Sequence, residues 1–156
     1  MPILGVSTDY SNRTKDISIF QGVDPAKTKN VDISFGTISN YCTGIQKLIQ
    51  RFAICLLTEL GSQFSYTGFG STLQIYLKRS NQLLNKADIY PIFNISANKI
   101  IDEFRQYQVH SNAPDDEKLN TVFLEDVLVA GTSVSLRIRI VPMSLSDTIF
   151  IIPLPN

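Results

Sequence analysis

One run of residues constrains the fold more than any other, because apolar side chains recur in it at steps of three and four. From Ile38 onward, the apolar residues that recur at these steps are Tyr41, Cys42, Ile45, Leu48, Ile49, Phe52, Cys55 and Leu56. This spacing predicts an amphipathic helix of about six turns, with Phe52 and Leu56 one turn apart in the core. Thr37 or Ser39 is the expected N-cap, and Gly61 is placed to end the helix. The opposite, polar face consists of Gln46, Lys47, Gln50 and Arg51.

Two further helices are predicted downstream by the same periodicity. The first helix covers 71–86, and its side chains expected to face the core are Leu73, Tyr76, Leu77, Leu83 and Leu84. The pair Tyr90-Pro91 ends this helix or follows its end, because the residue before a proline disfavours helical backbone. The second covers 97–108 with Ser96 as its N-cap, and its buried face is Ile100, Ile101, Phe104 and Tyr107.

Strands are predicted on both sides of the helical region. Short alternating segments occur at 15–20 and 31–35, separated by a loop at 21–30. Towards the end of the chain, 121–129 and 133–141 form a hairpin, and 148–152 is a last short apolar strand. In 133–141 the inward residues are Val134, Leu136, Ile138 and Ile140, and the outward ones are Ser135, Arg137 and Arg139. Strands, then helices, then strands predict a small α+β fold with three helices and a mostly antiparallel sheet.

The length of 156 residues fits one domain, which we place at 15–156 after an irregular arm at 1–14. Charged residues make up 18% of the chain, below the usual share of about 25%, and the formal net charge is zero. No global field attracts nucleic acid or anionic lipid, so neither is an expected partner. The sparse charge favours a surface partly covered by partner proteins, or else a small domain with a polar, uncharged surface. The first residues lack a secretory signal, and no apolar run is long enough to span a membrane.

Few residues are available for metal binding or redox chemistry. Cys42 and Cys55 are 13 positions apart on the predicted helix. Such positions lie about 20 Å apart, too far for a disulfide. We expect two reduced, buried thiols in a cytosolic protein. The single histidine, His110, is expected at the surface, so no metal site and no cofactor are predicted.

The catalytic possibilities are equally limited. Gly68 and Gly70 precede a helix, but the loop has neither the lysine nor the glycine spacing of a nucleotide-binding loop. Glu59 is the best candidate for a general acid, since the apolar residues before it would desolvate it. Its possible carboxylate partners are Asp102, Glu103, Asp115, Asp116 and Glu117, the last three in a predicted solvated loop at 111–118. Sequence spacing alone does not place any of them beside Glu59, and we predict that the protein is not an enzyme.

The final strands are the predicted partner-binding region. The last strand is apolar at consecutive positions, which suits a strand that is covered on both faces. The outward arginines of the strand before it offer charge-assisted hydrogen bonds to a partner. A solvated strand face is the alternative for these arginines. The proposed partner-binding residues are Arg137, Arg139, Thr148, Ile149, Phe150, Ile151 and Ile152.

Two stretches resemble a known family. Residues 50–61, QRFAICLLTELG, are similar to the pattern Gln-x-x-x-x-x-Leu-Leu-Thr-x-x-Gly of the contractile-tail baseplate wedge family. That family includes wedge subunits of T-even phages and the W-type baseplate assembly proteins. Residues 69–73, FGSTL, resemble the Phe-Gly-Ser-x-Leu that follows in many members. Ser62 stands where members often have an acidic residue, and the Glu-Pro-Arg tripeptide that many carry before the final strands is absent.

The resemblance implies a structural protein of a bacteriophage virion. Such a subunit is made in the cytoplasm of the host bacterium and belongs to the tail baseplate. Its implied partners are larger wedge subunits near the tail tube and the tail sheath protein, for which its β region offers a starting edge. Some members have been labelled lysozymes, so a peptidoglycan-cleaving hydrolase is one alternative function. Another assembly or regulatory module with the same small fold is the other alternative.

Overall fold

The computed structural model describes residues 15–18, 20–21, 32–33, 41–79, 85–131, 133–144 and 147–154. The arm predicted at 1–14 lies outside these residues. The described part is α+β, as the sequence predicts, with three α-helices and antiparallel sheets. Its elements are β1 (Asp16–Ile17), β2 (Phe20–Gln21), β3 (Asp32–Ile33), β4 (Tyr41–Cys42), α1 (Ile45–Leu57), α2 (Leu73–Arg79), α3 (Lys86–Val109), β5 (Leu119–Ala130), β6 (Ser133–Pro142) and β7 (Thr148–Pro153).

Helix α1 is shorter than the apolar periodicity predicts. Gly44, directly before it, has a φ of +65°, a left-handed conformation that ends the extended backbone of β4. Tyr41 and Cys42 pair antiparallel with β1 and so belong to a strand. The expected N-caps Thr37 and Ser39 lie outside the described residues. The helix also ends before Gly61, because Thr58 has extended backbone and is the C-cap.

Helices α2 and α3 divide the chain differently from the prediction. Helix α2 covers seven residues, and α3 covers 24 residues and begins after Asn85, whose side chain accepts a hydrogen bond from the backbone N–H of Ala87. Pro91 is therefore inside α3 instead of after a helix end. Both Pro91 and Ala87, four residues earlier, are exposed, so water can solvate the carbonyl that the proline leaves without a donor. The predicted end of α2 at 80–84 lies outside the described residues.

The last three strands form one antiparallel sheet in the order β5-β6-β7. The predicted alternation on β6 is confirmed, because the inward residues Val134, Leu136, Ile138 and Ile140 are at most 5% exposed. A register shift between Leu124 and Asp126 marks a bulge in β5. Because residues that face each other across antiparallel strands project from the same side, the register defines two sheet faces, one buried and one outward.

A continuous core joins the helices to the inner face of the sheet. Phe52 and Leu56 are fully buried, as predicted, and Phe52 meets Phe150 of β7 edge to face with ring centroids 6.5 Å apart. Helix α3 contributes Ile100, Ile101 and Phe104 to this core, as predicted. Tyr107, also predicted to face inward, is instead 64% exposed. Its ring lies 5.4 Å from the Arg51 guanidinium, at the rim of the core.

Candidate docking surface

Strand β7 is an edge strand in the described structure. It pairs antiparallel with β6 from Thr148 to Pro153, and Leu154 continues the pairing by donating its N–H to the Val134 carbonyl at 2.8 Å. In the described part of the chain, no strand pairs with the other side of β7. An edge of this kind presents backbone N–H and C=O groups that another strand can use.

The two faces of β7 differ in how the chain covers them. Phe150 and Ile152 point into the core and are each 2% exposed. Ile149 and Ile151 point to the outer face and are only half-buried. The strand is therefore covered on one face by its own domain, and its other face is only partly covered. The outer apolar side chains are left for contact with water or with a partner.

The outer face of the sheet combines apolar and basic side chains. The register places Arg139 between Phe123 of β5 and Ile149 of β7. Arg137 lies between Asp126 and Ile151 in the same way. We call the surface formed by these six residues the outer sheet face: Phe123, Asp126, Arg137, Arg139, Ile149 and Ile151.

Arg139 is already paired within the chain. Its guanidinium forms ion pairs with Glu125 and with Asp147 (3.2 Å to Oδ2), and lies 4.7 Å from the centre of the Phe123 ring. The hydrogen bonds that Arg139 donates to Asp147 and to Glu125, the larger effect first, raise its pKa above the ordinary value. These contacts connect β5, β6 and the residue before β7. Arg139 thus belongs to the framework of the outer face.

Arg137 is the arginine available to a partner. Its side chain is exposed, and no carboxylate of the described residues lies within ion-pair distance of it. Asp126 lies opposite Arg137 on β5 and forms an ion pair with Lys86 instead, with 3.4 Å between Nζ of Lys86 and Oδ1 of Asp126. Sequence spacing put the two arginines on one face correctly but gave no means of telling them apart.

The opposite edge of the sheet is covered where β5 begins, at Leu119 and Asn120. Gln108 of α3 donates to the Leu119 carbonyl at 3.0 Å and accepts from the Leu119 N–H, so its amide replaces a neighbouring strand. Arg105 donates to the Asn120 carbonyl at 3.1 Å. Since α3 supplies these bonds to the start of β5, the edge of β7 is the less protected of the two.

The segment predicted as a solvated loop at 111–118 contains two buried acids, so the prediction is wrong for these two side chains. Residues Asp115–Glu117 form a 3₁₀ turn, in which Asp116 and Glu117 are 4% and 2% exposed. One oxygen of Glu117, Oε1, accepts hydrogen bonds from the Gly44 N–H and the Thr43 hydroxyl, both at 2.9 Å. Glu117 thereby caps the N-terminus of α1 from 73 residues away, where a negative charge is stabilised.

The polar face of α1 is also less solvated than predicted. Lys47 is 8% exposed, and its ammonium lies 3.2 Å from Oε2 of Glu117. Gln50 is 4% exposed and donates to the Ile17 carbonyl of β1 at 2.9 Å. The β1–β4 ribbon and the 3₁₀ turn therefore lie against a helix face that the sequence assigns to solvent.

Glu59, the best candidate for a general acid, is paired with a cation. Its side chain is 38% exposed and forms an ion pair with Lys78 of α2. Of the other carboxylates considered, Glu103 pairs with Lys99 at 2.6 Å and Asp115 pairs with Lys118 at 3.1 Å. Each of these acids is held by its own lysine, and none of these contacts brings two carboxylates together.

The family-like motif residues close the loop between α1 and α2. The hydroxyl of Ser71 donates to the Leu56 carbonyl at 2.7 Å, and its N–H donates to the Thr58 carbonyl at 2.8 Å. Gly70 has a φ of +103°, and a Cβ there would lie 2.6 Å from the Thr58 carbonyl oxygen. A glycine followed by a serine is therefore required where this loop closes on the end of α1.

The remaining reactive side chains are isolated. Cys42 and Cys55 are buried free thiols, as predicted, and burial raises their pKa values to about 11 and about 12. His110 is exposed at the end of α3, also as predicted. In the described ranges no three His, Cys, Asp or Glu side chains are grouped to hold a metal ion.

No helix among the described residues has the length and apolar character needed to cross a membrane. Comparison with protein-family models, with curated proteins and with solved structures finds no match to this chain.

Proposed function

We propose that this protein is a structural, non-enzymatic subunit of a contractile-tail baseplate, located in the virion. Its partners in this proposal are larger wedge subunits and the tail sheath protein, and its docking surface is β7 with the outer sheet face. The proposal rests on the motif resemblance at 50–61 and 69–73 and on the edge position of β7.

The observation that carries the proposal is the edge of β7, with which no strand of the described residues pairs. Soluble proteins usually guard such an edge with charges, a bulge, a proline or a covering element. Residues Thr148–Pro153 contain no charged side chain, and the only proline is at the end of the strand. A partner strand that pairs there gains backbone hydrogen bonds and covers Ile149 and Ile151 at the same time.

The decisive variants change the charge of the outer sheet face, at Ile151 of β7 and at Arg137 of β6 opposite it. Ile151→Lys and, separately, Arg137→Glu leave the buried face intact, so both variants should fold and unfold at the wild-type temperature. Each should reduce incorporation into baseplates by about tenfold, as expected when a central interface residue is lost. Incorporation is measured by complementing particles that lack this chain and quantifying the subunit and the sheath length by electron microscopy.

Thr121→Lys is the matched control, because Thr121 lies on the same face but on β5, away from the free edge. It should assemble normally. A double change that includes Arg139→Glu is avoided, since it breaks the internal ion pairs to Glu125 and Asp147. Normal baseplates with normal sheath length in both edge variants would show that docking does not use β7.

A further inference from the structure

The loop between α1 and α2 presents an aromatic side chain that nothing in the described chain covers. Phe64 is 103% exposed, the highest value among the large apolar residues described, and Tyr66 is 55% exposed. Every residue from 61 to 67 is exposed. Phe69, five residues after Phe64, instead packs against the core. The loop therefore turns one phenylalanine inward and presents another to the outside.

The base of this loop is firmly tied to the rest of the domain. The backbone N–H of Ser62 donates to the Glu59 carbonyl at 3.0 Å. The backbone N–H of Phe69 donates to the Tyr66 carbonyl at 3.1 Å. Lys99 of α3 donates to the carbonyls of Gly68 and Gly70, at 2.6 and 3.2 Å. A loop whose base is held in this way loses less conformational entropy on binding than a loop that is free along its whole length.

We propose that the 61–67 loop is an anchor whose Phe64 side chain inserts into an apolar pocket on a partner protein. This inference rests on the proposed function, and it identifies the partner as a neighbouring baseplate subunit contacted in addition to the β7 partner. Large aromatic side chains that fill pockets are the residues that dominate protein–protein affinity.

The charge of the loop decides between a protein pocket and a membrane. Residues 61–67, GSQFSYT, carry no charge, so the complementary pocket has an apolar floor and an uncharged rim. A peripheral membrane loop combines its aromatic residue with lysines or arginines that attract anionic lipid. Lys78, at the base of this loop, is already paired with Glu59. The chemistry of the loop therefore favours a protein.

The test compares Phe64→Ser and Phe64→Leu in particles that otherwise lack this chain. Phe64→Ser should unfold at the wild-type temperature and be incorporated about tenfold less, whereas Phe64→Leu should recover most of the incorporation. Val109→Ser is the matched control, because it removes a 77% exposed apolar side chain elsewhere and should assemble normally. A lower unfolding temperature for Phe64→Ser would show that the ring packs on its own chain, and would overturn the anchor.

The remaining outcomes separate this inference from the proposed function. If the wild type is present in particles and Phe64→Ser is incorporated equally, only the anchor is wrong. If the wild type is absent from particles, the proposed function fails and the anchor fails with it. Co-sedimentation with vesicles of phosphatidylcholine and phosphatidylglycerol tests the membrane alternative. Wild-type binding that Phe64→Ser abolishes would assign the loop to a membrane and overturn the protein pocket.

Discussion

At the scale of single residues, Glu117 joins two parts of the chain that are distant in sequence. Its carboxylate caps α1 through Gly44 and Thr43 and pairs with Lys47, whose side chain is only 10% exposed. Removing one member of such a buried pair leaves the other charge without a counterion in a poorly solvated place. The stability of the α1 N-terminus therefore depends on a residue in the 3₁₀ turn.

Glu117→Gln keeps the shape of this side chain and removes its charge. We expect the free energy of unfolding to fall by about 3–5 kcal/mol, measured by urea denaturation. Adding Lys47→Met should recover part of the loss, because the buried ammonium that has lost the charge of Glu117 is then gone. Asp115→Asn is the control, since Asp115 is an exposed partner of Lys118 and should cost under about 1 kcal/mol. A loss for Glu117→Gln as small as that of the control would argue against a stabilising pair.

At the scale of elements, α1 is buried on more than its apolar stripe. Its apolar side packs on the sheet and α3, while Gln50 and Lys47 are covered by β1 and the 3₁₀ turn. Gln50 is therefore unsuitable as a surface control for this helix. Ile54, half-buried on the same helix, is the better reference.

Leu56→Ala should destabilise the protein by about 2–5 kcal/mol, because a fully buried leucine leaves a cavity. Ile54→Ala removes a similar volume from a half-buried position and should cost less than half as much. Thermal or denaturant unfolding of both variants measures the difference. Equal costs would show that the buried face of α1 is assigned wrongly.

At the scale of the whole molecule, the described carboxylates do not favour hydrolysis. Glu59 is paired with Lys78, Glu103 with Lys99, and Asp115 with Lys118. We expect purified wild-type protein and Glu59→Gln alike to leave a suspension of peptidoglycan turbid. A robust clearing activity that disappears in Glu59→Gln would contradict the structural role and support a hydrolase.

The sequence by itself determined the α+β class, the three-strand end of the chain, the inward side of β6 and the core positions of Phe52 and Leu56. These features follow from local periodicity, which depends only on residue spacing. The resemblance in 50–61 and 69–73 indicated the residues that close the α1–α2 loop, although not why each is needed.

Tertiary structure decided what periodicity cannot express, namely which distant groups meet. Contacts between separate elements bury Glu117 and Lys47 and pair Arg139 with Glu125. The same packing places α3 over the start of β5 and leaves Phe64 fully exposed. The start of α1 differs from the prediction for the same reason, because Tyr41 and Cys42 pair antiparallel with β1 and so do not form a further helical turn. Whether a charged or apolar side chain is buried depends on which distant parts of the chain pack against it. Local residue spacing does not contain that information, because those contacts form only in the folded protein.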